Sequence, residues 1–127
     1  MLTTTRRISS LAALSLAIAT IIGAAAAHGL KARLSVDRYE VLQTAVQYQF
    51  FHSLGLLALA QLQERLALTA LRVAAWLLAA GIVLFSGSLY LLIAGAPAIV
   101  GVATPIGGLA LIASWLLAAF ALLRAPR

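Results

Sequence analysis

Cysteine is missing from all 127 residues, so no disulfide framework, thiolate metal site or cysteine nucleophile can be built, while the redox compartment stays undetermined. Acidic residues are nearly as scarce, with 3 Asp and Glu in the whole chain. None falls inside a long apolar run, which removes paired carboxylates for acid–base work and the intramembrane carboxylate common in transporters. Charged residues of both signs reach 9%, against 64% hydrophobic residues, far outside the composition of soluble globular domains. This is the composition of a chain that lives in a bilayer. The formal net charge of +6 does not read as nucleic-acid binding, because the Lys and Arg residues are spread through flanks and loops and form no basic stripe with interleaved aromatics.

What is present is a series of uncharged runs, with room for about four spans of roughly 20 residues each and no separate soluble domain. Residues 8–27 carry no charge and follow Arg6 and Arg7. Residues 41–63 also lack charge but hold five glutamines, making the second span, about 46–63, the most polar. Between Arg72 and Arg124 lie 51 uncharged residues, too many for one crossing, and Gly95, Pro97, Gly101 and Pro105 punctuate their middle as a hairpin turn would. Spans three and four are placed at about 73–93 and 106–123. The expected fold is all-α: one membrane domain, an antiparallel four-helix bundle, with a short amphipathic helix before span two marked by Val36, Tyr39, Leu42 and Val46 at three- and four-residue spacing.

Orientation follows from Lys and Arg in the short flanks. With four crossings, one face holds Arg6, Arg7, Arg65, Arg72, Arg124 and Arg127 and the other Lys31, Arg33 and Arg38. That asymmetry puts both termini in the cytoplasm of a multi-pass protein of the cell's inner membrane. The first span is expected to be retained, since its apolar run is longer than the roughly 7–15 residues of a signal-peptide core. Gly29 is read as a left-handed cap ending span one, and Ser35 as the N-cap of the next helix, with Asp37 in its first turn. Small residues at every fourth position, Ala19, Gly23 and Ala27, then Ala75 and Ala79, then Ala110, Ser114 and Ala118, read as packing seams.

Successive spans run in opposite directions, which sends the unusual residues to one outer face. Span one ends there with His28, Gly29 and Lys31; span two begins there with Tyr48, Gln49 and His52. Span three ends there with Ser86, Gly87, Ser88 and Tyr90, and span four begins there with Thr104, Pro105, Gly107 and Gly108. His28, Lys31, Tyr48, Gln49, His52, Ser86, Ser88, Tyr90 and Thr104 are the candidate ligand-binding residues. Gly29, Gly87, Pro105, Gly107 and Gly108 are assigned structural roles. Each has a plain alternative: Tyr48 and Tyr90 suit an interfacial aromatic belt, His28 a hydrogen-bonded span end, and the Ser86–Ser88 segment a close helix crossing. His52 lies deeper, where an ionisable group is costly and faces the bundle interior or water.

The segments AHGLK, YQFFH, FSGSLY and TPIGG, in this order and in a chain of this length, resemble the family of small integral membrane proteins known as domain of unknown function 423, which includes the transmembrane protein 256 group. The resemblance covers about residues 23–117. It implies a multi-spanning membrane protein with no established activity and an uncleaved first span. The chain departs in showing GAAAAHGLK where the family usually has an aromatic and a further glycine before the histidine, leaving His28, Gly29, Leu30 and Lys31 in place.

Function is thereby narrowed without being named. The leading reading is a non-enzymatic membrane protein whose outer-face polar cluster binds a small ligand, a lipid headgroup or a partner protein. Its partners are the bilayer and, by the same surfaces, a second copy of the chain or another membrane protein. A transporter or channel subunit is the alternative within ligand handling. His28 and His52 leave haem or a metal as a further alternative, but no carboxylate accompanies them and no cofactor or metal is assigned. An intramembrane enzyme would cast Ser86 or Ser88 as nucleophile and His52 as base, yet the sequence holds no GxSxG or HExxH motif. A purely structural role is favoured if the cluster proves to be filled by its own Gln, Ser and Tyr hydrogen bonds.

Overall fold

Helices cover the uncharged runs and extend into their charged flanks, and short connections fold them back on one another. In the computed structural model, which describes residues 2–127, α1 spans Leu2–His28, α2 Val36–Leu66, α3 Thr69–Ile93 and α4 Ala103–Leu123. Short 3-10 turns at Leu30–Ala32 and Ala98–Val102 complete the first and third connections. Neighbours in sequence are neighbours in space: α1 packs on α2, α2 on α3 and α3 on α4, whereas α1 and α3 touch only lightly. Thr5 reaches Gln63 and Ser15 reaches Ser53, so α1 and α2 are antiparallel. Ser88 beside Thr104 and Gly81 against Leu111 show the same for α3 and α4. The all-α membrane bundle is as expected.

Leu2–His28, Thr69–Ile93 and Ala98–Leu123 are long and apolar enough to cross a membrane. Helix α2 is longer than any of them, 31 residues, but too polar to be recognised by hydropathy alone. The short amphipathic helix expected before it is not a separate element. Its residues are the first turns of an unbroken α2, because no Gly or Pro interrupts the chain between Ser35 and Gly55.

The helix ends show which local signals are read correctly. Ser35 is the N-cap of α2, its hydroxyl accepting from the Arg38 amide at 3.3 Å. Gly29 follows the last residue of α1 but with φ −139°, so it supplies no left-handed cap; its amide simply continues the helical ladder to Ala25 at 2.9 Å. The left-handed conformation occurs instead at Ala67, φ 52°, closing α2, and at Gly95, φ 101°, in the α3–α4 turn. At the α3–α4 crossing a Cβ on Gly107 would run into the backbone of Leu84 and Phe85, so only glycine lets these helices meet so closely.

The buried seams follow alternating steps of three and four, the spacing of left-handed helix packing. On α1 the line is Thr5, Ile8, Ala12, Ala19 and Ala26, with Ser15 on the same track. This replaces the expected seam of Ala19, Gly23 and Ala27, whose last residue is exposed. On α2 the line runs through Leu42, Val46, Gln49, Ser53, Leu56, Ala60 and Gln63. Three of its seven members are polar, and they are turned inward. The main core joins Ile8 and Ala12 to Leu56, Leu59, Leu71, Leu78 and Leu111.

Candidate functional site

Gln49 is the hub of the polar interior. Its seam position aims the amide between α1 and α3, where Nε2 donates to the Ser15 carbonyl at 3.0 Å and to Ser15 Oγ at 3.1 Å. Its Oε1 accepts from the Tyr90 hydroxyl at 2.6 Å, and Ser15 Oγ lies 2.7 Å from Ser53 Oγ. One glutamine thus ties three helices together at mid-span. Below it, Thr5 donates to Gln63 at 3.3 Å. Among the described residues no buried side-chain nitrogen or oxygen lacks a partner, as a hydrocarbon surround requires.

The other candidates divide between different faces. Ser86 and Tyr90, four residues apart, share the α2-facing side of α3; the Ser86 hydroxyl donates to the Ala45 carbonyl at 2.8 Å. Ser88 points the opposite way, to α4, with its hydroxyl 2.5 Å from Thr104 Oγ1 and 2.9 Å from the Phe85 carbonyl. Tyr48 and His52 lie on the α4 side of α2. The Trp115 indole donates to His52 Nδ1 at 3.0 Å, and the Tyr48 ring centroid sits 5.6 Å from His52 and 4.8 Å from Phe85. His28, the last residue of α1, and Lys31, in the first connection, are exposed, and the Lys31 ammonium lies 5.9 Å from the Tyr39 ring.

The structure therefore does not bring His28 and His52 together. The Thr5–Gln63 and Ser15–Ser53 pairs set a register that puts His28 level with about residue 40. His52 lies some twelve residues further along α2, roughly 18 Å at 1.5 Å per residue. Among the described residues no three His, Asp or Glu side chains gather as metal ligands. Ser86 and Ser88 bond to backbone and to Thr104, and His52 to Trp115, so neither of these serines is paired with His52. Of the glycines given structural roles, Gly107 is a tight crossing. At Gly87 an added Cβ would meet nothing within 4 Å, so it is not a helix contact.

Gly87 instead opens onto a furrow. Between α1 and α3, with Gln49 as its floor, lies a groove of about 260 Å³ walled by Leu11, Leu14, Ile18, Val83 and Gly87. Of the furrow's polar residues the sequence pointed to Gln49, Ser86 and Tyr90, with Gly87, but not to Ser15; outside it, Ser53 and Trp115 were also unforeseen. The three–four spacing through Thr5, Ile8, Ala12 and Ala19 was the signal that could have found Ser15, and the same spacing on α2 passes through Ser53. Arg38, whose guanidinium donates to the Ile93 carbonyl at the end of α3, was equally unforeseen.

Comparison with known proteins places these features in a family. Residues 22–108 match the family described as "Protein of unknown function (DUF423)". The chain is 43% identical over 108 residues to the UPF0382 membrane protein YwdK of Bacillus subtilis, covering 84% of this chain and 88% of the relative. It is 44% identical over 95 residues to a UPF0382 membrane protein of Staphylococcus haemolyticus, covering 75% and 77%. To the UPF0382 inner membrane protein YgdD of Escherichia coli it is 35% identical over 130 residues, covering 98% and 95%. No solved structure matches it. A family model matching residues 22–108 and relatives aligned over most of their length make this chain a member of the DUF423 family of membrane proteins.

Proposed function

We propose that the protein is a non-enzymatic inner-membrane protein that crosses the bilayer four times with both termini in the cytoplasm and holds the apolar chain of a lipid in the furrow between α1 and α3. Four crossings are supported by α2 lying between α1 and α3 with Gln49, Ser53 and Gln63 turned inward, while Gln43, Gln47 and Gln61 stay on its exposed side. The six-to-three distribution of Lys and Arg supports the orientation. Kinship with an inner membrane protein of Escherichia coli supports the location.

The observation that carries the lipid reading is the state of the polar cluster. Both amide hydrogens of Gln49, the Tyr90 hydroxyl and the Ser86 hydroxyl are already committed within the bundle. Little donor capacity is left for a polar ligand, and what remains open is an apolar groove. Native mass spectrometry of the protein released from mild detergent tests this: one lipid should stay with each chain. Gly87→Leu, at a wall position where an added Cβ meets nothing within 4 Å, should lower lipid retention severalfold with helicity unchanged. A lipid-free wild-type chain, or equal retention by the variant, would overturn the reading.

A further inference from the structure

We infer that the occupant of the furrow is one anionic phospholipid, its phosphate held by Arg6 and Arg7 and one acyl chain lying along α1 toward Gly87. This rests on the lipid reading above and adds the headgroup class. The groove that ends at Gly87 does not stop at Leu11. It continues into a second cavity of about 540 Å³ whose lining includes Thr3, Arg6, Arg7, Ser10 and Trp76, and the two share Leu11 and Leu14. Through these shared residues the two adjoin along α1, one toward Gly87 and the other toward the end of the molecule where α1 begins.

Charge and length select the occupant. Helix α1 has no acidic residue, and the antiparallel packing gathers the start of α1, the end of α2, the start of α3 and the end of α4 at one end. Of the chain's acidic residues only Glu64 lies there, against Arg6, Arg7, Arg65, Arg72, Arg124 and Arg127. Guanidinium groups match phosphate geometry in pairs of hydrogen bonds, and Thr3 and Ser10 add hydroxyl donors at the mouth. Trp76, partly exposed at the same level, is the amphipathic residue type favoured at headgroup depth. From Arg7 to Ile18 the path measures about 16 Å at 1.5 Å per residue, and one leaflet of hydrocarbon is about 15 Å, half of a core of about 30 Å. A headgroup at the arginines thus leaves its chain end beside Gly87.

The test offers the detergent-solubilised protein equimolar phosphatidylglycerol and phosphatidylcholine with identical acyl chains and reads the bound lipid by native mass spectrometry. The wild type should hold phosphatidylglycerol in preference. Arg6→Gln with Arg7→Gln should still hold a lipid but with the preference reduced, by about fivefold per arginine. The single variants serve if the double one inserts poorly. Arg124→Gln with Arg127→Gln, at the same end but outside the furrow, should leave the preference intact. An unchanged preference in the Arg6 and Arg7 variants, with lipid still displaced by Gly87→Leu, overturns the headgroup assignment and leaves the furrow standing. A wild-type chain that binds neither lipid overturns both. Equal loss in the Arg124 and Arg127 variant would show diffuse charge instead of a seat, and also overturns the inference.

Discussion

Replacing Gln49 with leucine removes three hydrogen bonds, two to Ser15 and one from Tyr90, from a side chain that is only 6% exposed. Side-chain hydrogen bonds between membrane helices average about 0.6 kcal/mol and reach about 1.7, so the three together contribute about 2 kcal/mol. The Tyr90 hydroxyl is then left without its acceptor in an apolar surround, which adds about 1–2 kcal/mol. Gln49→Leu should therefore destabilise the fold by about 3–4 kcal/mol. Tyr90→Phe, which deletes one bond and strands only a carbonyl oxygen with a second direction free, should cost about 1 kcal/mol. Because the two residues share a bond, the double variant should cost less than the sum of the single ones, by about 0.6–1.7 kcal/mol. The assay is reversible unfolding in mixed micelles by titration with a denaturing detergent, followed by circular dichroism. A Gln49→Leu protein within 0.5 kcal/mol of wild type, or strictly additive single effects, would refute the claim that Gln49 ties α1, α2 and α3.

The glycine and alanine positions can be checked in the same unfolding assay. Gly107→Ala should cost about 1–3 kcal/mol because its methyl meets the Phe85 and Leu84 backbone, whereas Gly87→Ala should be close to neutral. Ala67→Gly should stabilise by about 0.5–1 kcal/mol, relieving a left-handed alanine at the end of α2. His52→Leu should leave the fold intact, since its one hydrogen bond is to the half-exposed Trp115, and tryptophan fluorescence should shift as the indole loses its acceptor. Because the chain has no cysteine, Ala125→Cys gives a single label site, which should react with a membrane-impermeant reagent only after the inner membrane is opened.

The sequence made some features legible and hid others for physical reasons. The uncharged runs located α1, α3 and α4, and Ser35, Gly95 and Gly107 marked a cap, a turn and a crossing through residue chemistry that acts locally. Helix α2 stood out only through the uncharged run 41–63, because five glutamines lower its hydropathy, and of these only Gln49 and Gln63 pack inward. The candidate site was half legible. Gln49, Ser86, Gly87 and Tyr90 do meet, but a residue list cannot show the rotation of α2 about its axis. That rotation sends Gln49 and Ser53 toward α1 and turns Tyr48 and His52 toward Trp115. Placing every candidate at one face also treated residues 28 and 52 as equal in depth, although the α1–α2 register separates them by several turns. Trp115 was hidden because an aromatic on an apolar helix looks like a lipid-facing anchor until its neighbour is known.

Photo-crosslinking tests most directly whether a lipid chain lies between α1 and α3. Protein reconstituted with a phospholipid carrying a photoactivatable group near the end of one acyl chain would be irradiated, digested and mapped by mass spectrometry. The adducts should concentrate on Leu14 and Ile18 of α1 and on Val83 and Gly87 of α3, and Gly87→Leu should abolish them. Labelling spread evenly over the exposed face of α4, at Ile112 and Leu116 as much as in the furrow, would contradict the claim.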